Sequence, residues 1–330
     1  MSSAKIGRRA TLLGLSAAAS LSGIQRGAAA EPLKMITNWA AQAELGGFYS
    51  AQANGLYDKQ GLAVTLQSGG PQINAMQLLI AGACDIIIGQ PEAVLMAVQR
   101  GIPLVTIGST YPKCMTGLTT HPDVTSLAGL KNHQILISTE GRSTYWPWLR
   151  ETYGFSASQA GVYTYNTQPF IHNPNVAFQS FVSSEPYAME QAHIPFHYFL
   201  FSDFGYPTYT NTLIVSRKTF TERRDVLARF LSASADGWLA YLYGDASSGD
   251  VAIRKDNPAV TMEHLAWSRE KLRNIHAIGK KGDRLFSMSE AQWEKIEAMV
   301  VASGGVPANP NWRESYSLEL SDALTQVVPS

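Results

Sequence analysis

Uninterrupted apolar runs of 18 residues or more are missing from this 330-residue sequence, so no membrane-spanning helix is expected. Cysteine is scarce, with Cys84 and Cys114 alone. Neither has a Cys or His partner at metal-ligand spacing, so no metal site is expected. An oxidising compartment would permit a disulfide, but two separate buried thiols on different strands are the simpler reading. The seven histidines are scattered, and His193 and His197, four apart, straddle Pro195, which argues against a shared helical face. Also missing are a Gly-x-Ser-x-Gly elbow, a phosphate-cradling Gly-x-x-x-x-Gly-Lys-Ser/Thr and a Gly-x-Gly-x-x-Gly after a strand. The chain therefore carries no signal of an enzyme and none of a cofactor. A basic excess is missing too: 26 Lys and Arg face 26 Asp and Glu.

What is present begins with a leader. Lys5, Arg8 and Arg9 precede a small apolar run, Ala10 to Ile24, and Gly27-Ala28-Ala29-Ala30 ends in an Ala-x-Ala pattern. This reads as an export signal over residues 1–30, cleaved after Ala30. Gly7-Arg8-Arg9-Ala10-Thr11-Leu12-Leu13 resembles a twin-arginine signal, although Thr11 replaces the usual Phe or Leu and general secretion stays open. Cleavage removes four basic residues and no acid, leaving 22 against 26, a formal charge of −4. That argues against a nucleic-acid or anionic-membrane surface. No cysteine stands near the cleavage point to carry a lipid, so the expected location is the periplasm, free of the membrane.

Downstream, strand and helix patterns alternate. Strands are expected at Leu33–Trp39, Leu62–Gln67, Cys84–Gly89 and Leu104–Ser109, and helices at Gly46–Lys59, Ile73–Ala81 and Glu92–Gln99. Short connections between them make an α/β unit with a mostly parallel sheet. A second unit follows, with strands at Met115–Thr119, Gln134–Ser138, Val162–Asn166 and His197–Phe201. Its helices are expected at Leu127–Lys131, Thr144–Tyr153 and Pro186–Ala192, with a short one near Val176–Phe181. Thr210–Ser216 returns as a strand, and helices at Arg223–Tyr243, Met262–His276 and Ser289–Val301 form a helical tail. Tyr111-Pro112-Lys113 and Tyr206-Pro207-Thr208 read as two crossings between lobes. Lobe 1 is then 31–112 plus 208–330, lobe 2 is 113–207, and a cleft lies between them.

Polar and aromatic residues recur where strands end, and in an open α/β architecture such turns share one edge. The candidate ligand contacts are Asn38, Trp39, Gln90, Tyr111, Ser143, Thr144, Tyr145, Trp146, Glu185, Tyr187 and Tyr206. Aromatics at that edge can stack on a planar ring, and Glu185 can accept charge-assisted hydrogen bonds from a ring amine. Of Trp146 and Trp148, one is expected to face the sheet and the other the cleft. Glu44 reads as a first-turn acid favoured by the helix dipole. Gly69-Gly70 and Gly141-Arg142-Ser143-Thr144 each precede or open a helix and suit either a turn or an anion; Thr144 also suits a helix cap.

The runs NWAAQAELGGFYSAQANGLYDKQGLAVTLQSGGP, GACDIIIGQPEAVLMAVQRGIPLVTIGSTY, SLAGLKNHQILIS and SSEPYAMEQA, taken in order, resemble periplasmic substrate-binding proteins of ABC importers. The branch is the nitrate/sulfonate/taurine and thiamine-pyrimidine-precursor superfamily, and the likeness runs from Leu33 to about Tyr243. It implies a two-lobed type II binding fold with two crossover hinge segments. It also implies a monomer that closes on a small molecule and delivers it to a membrane permease with its ATPase. Asn38-Trp39 and Ser184-Glu185-Pro186-Tyr187 look most like the branch that takes aminopyrimidines. An alkyl-sulfonate, taurine or nitrate is the alternative ligand, and Arg142 and Gly69-Gly70 would then matter. A pyrimidine synthase using pyridoxal phosphate and iron shares the fold, but its Cys-rich iron motif is missing here.

Overall fold

The computed structural model describes residues 29–70 and 73–329. The expected leader lies outside them except for its last two residues, as does Pro71 of the turn after Gly70. Among the described residues, ten strands form two five-stranded sheets. The first holds β1 (Glu31–Ile36), β2 (Leu62–Gln67), β3 (Ile86–Gly89), β4 (Leu104–Tyr111) and β10 (Thr210–Ser216), in the order β2-β1-β3-β10-β4. β1 runs parallel to β2 and β3, while β10 inserts antiparallel between β3 and β4. Ile86, Ile87 and Ile88 are all buried, as a central strand covered on both faces requires.

The second sheet holds β5 (Thr116–Thr120), β6 (Gln134–Ile137), β7 (Ala160–Val162), β8 (Val176–Phe181) and β9 (His197–Leu200), in the order β7-β6-β8-β5-β9. β6 is parallel to β7 and β8, and β5 is antiparallel to β8 and β9. The chain passes to the second sheet between Tyr111 and Thr116 and returns between Leu200 and Thr210. The tail folds back on the first sheet, where Thr106 bridges to Tyr316 and accepts a hydrogen bond from Ser317.

Three local expectations are corrected. Val176–Phe181 is not a helix but the central strand β8, lying between β6 and β5 with four of its six residues buried. A short apolar run covered on both faces carries no clear period. The helix expected over Gly46–Lys59 is two helices, Gly46–Ala53 and Leu56–Lys59, interrupted at Asn54-Gly55. Trp146 and Trp148 are both buried in one apolar cluster of the second unit, so neither faces a cleft. Cys84 and Cys114 are free and buried.

The largest core cluster packs the helix Gly46–Ala53 against the helix Arg224–Tyr243 and the first sheet, around Phe48, Phe230, Trp238 and Phe286. Close approach of the two helices depends on Gly47, where a methyl group would stand 2.2 Å from the Trp238 ring. Trp238 is fully buried and cannot swing away. Gly47→Ala is therefore expected to cost about 1–3 kcal/mol, read as a fall of several degrees in Tm. An unchanged Tm would mean that the ring yields freely.

Candidate functional site

The first sheet's parallel strands and the start of β10 end at a common edge, facing the second sheet. β1 stops at Ile36, and Thr37–Trp39 form the turn beyond it. Thr37 Oγ1 donates to the Trp39 carbonyl at 2.7 Å, and Gly69 donates its N–H to Thr37 Oγ1 at 3.0 Å and to the Trp39 carbonyl at 3.1 Å. Gly69 fits because a Cβ there would meet the Thr37 carbonyl oxygen at 2.0 Å. The Trp39 backbone is thus braced from β2, and its indole stacks parallel to Tyr163 at 6.4 Å and edge-on to Tyr165 at 5.8 Å. Trp39 belongs to the first unit and both tyrosines to the second, so the indole already spans the two.

Two contiguous cavities meet at this edge, of about 130 Å³ and about 60 Å³. Asn38, Trp39, Gln90 and Glu140 line both. The smaller, inner one adds Glu44, Gln179, Ser180, Glu185, Thr210 and Asn211. Three carboxyl groups therefore converge, and among the described residues no Lys, Arg or His lines either cavity. The acids do not make a metal centre: among the described residues no group of three or more His, Cys, Asp or Glu is placed to hold a metal ion.

The three acids differ in what already holds them. Glu185 opens the helix Glu185–Gln191, and both its oxygens are bonded, Oε1 by the Tyr163 hydroxyl at 3.0 Å and Oε2 by the Phe181 N–H at 2.8 Å. Burial pushes its pKa up to about 7 against those bonds. Glu140 keeps some contact with solvent and faces the amides of Asn38 and Gln90; burial again dominates and takes it to about 7. Glu44 is 4% exposed, and its Oε2 has no hydrogen-bond partner. Burial, with a smaller push from the Glu185 charge, raises its pKa to about 8. Glu44 does stand in a first turn, that of the short 3-10 helix Ala43–Leu45, and it is in addition buried and lines the cavity.

The backbone of Glu44 is held as deliberately as its side chain is left free. Its carbonyl accepts from the Tyr111 hydroxyl at 2.9 Å and from Asn211 Nδ2 at 3.2 Å. Asn211 adopts φ 54° inside a strand, and Tyr165 has φ 62°. Left-handed backbone in non-glycine residues costs energy and gathers at functional sites.

Of the residues expected from the sequence, Asn38, Trp39, Gln90, Ser143 and Glu185 line the cavities. Tyr111, Thr144 and Tyr145 stand one step behind, each bonded to a residue that does: Tyr111 to Glu44, Thr144 Oγ1 to the Glu140 carbonyl at 3.0 Å, and Tyr145 to Gln179 Oε1 at 2.6 Å. Gln179 Oε1 also accepts from the Ser138 N–H at 2.5 Å, which leaves the amide nitrogen as a donor. The remaining three lie elsewhere. Trp146 packs near Phe155, Tyr206 donates to the buried Glu92 at 2.7 Å, and Tyr187 stacks on His264 at 4.4 Å. Arg142 lines neither cavity; its guanidinium donates to the carbonyls of Ala160 and Gly161 at 3.0 and 2.8 Å. Glu140, Gln179 and Asn211 are cavity residues that the sequence did not single out. Gln179 went unseen because β8 reads as a helix.

The two units also grip each other outside the cavities. Ser184 donates to Gln42 Oε1 at 2.5 Å, and Gln42 donates to the Tyr165 hydroxyl. The helix Met262–Asn274 sends Trp267 Nε1 to Glu190 at 3.0 Å and Ser268 Oγ to the Ser183 carbonyl at 2.5 Å.

Residues 42–244 match the family described as NMT1/THI5 like, and the chain belongs to that family. No curated protein sequence matches it significantly. Its fold is the periplasmic-binding-protein fold, shared with several solved structures. One is the ligand-binding component of an ABC-type import system from Staphylococcus aureus, with zinc bound: TM-score 0.67, 10% identity, 90% of this chain and 99% of that one covered. Another is the periplasmic aliphatic sulphonate binding protein SsuA from Escherichia coli: TM-score 0.64, 14% identity, 88% and 99% covered. The desulfurization enzyme DSZB shares the fold at TM-score 0.54 and 12% identity, with 88% and 98% covered.

Proposed function

We propose that this chain is the periplasmic, monomeric solute-binding component of an ABC importer, and that it captures a small amine-bearing planar heterocycle of the aminopyrimidine type. Family membership and the two-sheet fold support the importer role. The observation that carries the ligand class is the lining of the inner cavity: three carboxyl groups and a set of side-chain amides and hydroxyls, beside an indole. Asn38, Gln90, Gln179 and Asn211 offer both donors and acceptors to a ring edge. Glu44 offers an unshared carboxyl to an amine or ring cation, and charge-assisted bonds are the stronger kind. Trp39 supplies the flat wall.

An anion fits this lining poorly. With no Lys, Arg or His among the described lining residues a sulfonate or nitrate finds no counter-charge, and as Glu140 and Glu185 ionise from about pH 7 upward each carboxylate within about 4 Å adds roughly 4 kcal/mol of repulsion at an effective dielectric constant near 20. Arg142, the cation that an anion-binding reading would use, is turned to the β7 backbone. Arg142→Ala is accordingly expected to leave ligand affinity within about twofold, measured by calorimetric titration. Loss of binding in that variant would favour the anion reading.

Lobe 1 (31–112 plus 208–330) and lobe 2 (113–207) would close over the ligand about the crossings near Tyr111–Lys113 and Tyr206–Thr208. Closure follows because the ligand touches Trp39 and Glu44 on one side and Gln179 and Glu185 on the other, which gives it differential affinity for the closed state. Binding rather than turnover is the reading, since among the described residues neither cavity is lined by a Cys, His or Lys that could act as a nucleophile or activate one. A thermal-shift screen tests the proposal. A saturating aminopyrimidine at about 100 times Kd is expected to stabilise by about 2.7 kcal/mol, a rise of several degrees. A shift with taurine or nitrate and none with any aminopyrimidine would overturn the ligand class.

A further inference from the structure

Glu92 lines neither cavity, yet it is an acid only 1% exposed. It stands in the first turn of the helix Pro91–Gln99, two residues after Gln90, which caps that helix and lines both cavities. Its Oε1 accepts from the Tyr206 hydroxyl at 2.7 Å. The Tyr206 ring packs in the apolar cluster of the second unit, 4.8 Å from Trp148. One turn of a first-unit helix therefore carries both a cavity amide and a bond into the core of the second unit.

The rest of the return crossing is anchored to the first unit. The Pro207 carbonyl accepts from Gln292, on the helix Glu290–Ala302, and the Tyr209 hydroxyl accepts from the Ser289 N–H at 2.8 Å. Thr208 lies between these anchors with its hydroxyl beside the Glu92 carboxyl. Thr208 Oγ1 and Glu92 Oε2 are both buried, and neither has a hydrogen-bond partner. Two buried polar atoms left unpaired side by side are unfavourable, and a small movement of the crossing would pair them. Burial raises the Glu92 pKa, so the carboxyl can keep its proton, one oxygen accepting from Tyr206 and the other donating to Thr208. Resting on the closure described above, we propose that Glu92 is a positioning residue of the hinge: closing on the ligand brings Thr208 Oγ1 and Glu92 Oε2 into a hydrogen bond, and the shared helix turn couples ligand contact at Gln90 to that movement. Glu92 itself touches no ligand.

Calorimetric titration and release kinetics, with 4-amino-5-hydroxymethyl-2-methylpyrimidine as the probe, test this. Thr208→Val removes a hydroxyl that is unbonded in this structure, so the Tm of the unliganded variant is expected to stay level or rise. Its Kd for the probe is expected to increase about threefold to tenfold, carried by faster release. A merely structural role for Thr208 would lower Tm and leave Kd alone. Glu92→Gln keeps an acceptor for Tyr206 and supplies a donor for Thr208, so its Kd is expected to stay within about twofold of the unsubstituted protein. In a Gln90→Ala background, Thr208→Val should cost less than about twofold, because the contact that couples the ligand to the crossing is gone. Three results would each overturn the proposal and leave the ligand class standing: an unchanged Kd in Thr208→Val, a loss in Glu92→Gln as large as that in Thr208→Val, or losses that multiply fully in the double variant. If the probe does not bind the unsubstituted protein, the ligand reading falls and this proposal with it.

Discussion

Glu44→Gln is expected to weaken binding of an amine-bearing ligand by about 30-fold to 1,000-fold or more, the range found when one partner of a buried hydrogen-bonded charge pair is neutralised. The substitution keeps shape and burial, so the loss measures charge. The same change at Glu185 is a poorer test of ligand contact, because both Glu185 oxygens are already bonded to Tyr163 and the Phe181 N–H. Its replacement would disturb the turn into the helix Glu185–Gln191 first. Glu44 has the unshared oxygen.

The same residue sets a pH dependence. Its folded-state pKa is raised from 4.5 to about 8 by burial, so the folded protein holds that proton more tightly than the unfolded chain. Stability from this source is fully present below about pH 4.5 and is lost as pH rises through about 8. Glu140 and Glu185, raised to about 7, act with the same sign over a narrower window. Thermal melts of the unliganded protein should therefore fall from pH 5 to pH 8, and less steeply in Glu44→Gln. A ligand that is already a cation at pH 7 favours the carboxylate, so its capture should release a proton and its affinity should rise towards pH 8. Titrations in buffers of different ionisation enthalpy read that release directly. For such a ligand, proton uptake on binding, or none, would contradict the role given to Glu44; a neutral aminopyrimidine that takes the Glu44 proton onto its ring leaves the proton count unchanged.

The architecture was legible in the chain because alternating strand and helix patterns, short connections and two Tyr-Pro crossings are local features. The edge carrying the candidate site was legible for the same reason: Asn38, Gln90 and Glu185 follow strand ends, and Ser143 closes the short helix Thr139–Ser143 that comes after β6. Depth was not legible. Tyr111, Thr144 and Tyr145 are the types of residue that contact ligands, and they sit where contacts sit. Each is nonetheless used one layer back, to hold Glu44, the Glu140 turn and Gln179. The ranking of the acids was hidden as well. Whether a carboxyl is spent or free depends on partners distant in sequence, such as Tyr163, 22 residues from Glu185. Glu44 looked ordinary because its turn has ordinary helix-start chemistry, and only the packing of β10 and β4 around it makes it a buried, unshared acid.

Arg269→Leu is expected to cost about 3–5 kcal/mol of stability, the usual result of stripping the partner from a buried ion. Asp250 is 2% exposed and lies on the helix Ser247–Asp256. Arg269, on Met262–Asn274, donates to both its oxygens, and Tyr241, on Arg224–Tyr243, donates to Oδ1 at 3.1 Å. Burial raises the Asp250 pKa even against the pull of Arg269, so the acid is costly where it stands and depends on the cation beside it. A fall in Tm of about 5–15 °C is the expected reading. Arg269→Leu combined with Asp250→Asn should recover most of it, since removing both charges leaves no orphan. The effect should reach the ligand as well. The helix that carries Arg269 also presents His264, Trp267 and Ser268 to Tyr187, Glu190 and the Ser183 carbonyl of the second unit. Those contacts join the two units without touching the cavity, and under the proposed closure they would favour the closed arrangement. Arg269→Leu should therefore raise Kd measurably at a temperature where the variant is fully folded, through faster release rather than slower capture. An unchanged release rate would mean that the tail helices hold the first unit together and take no part in closure.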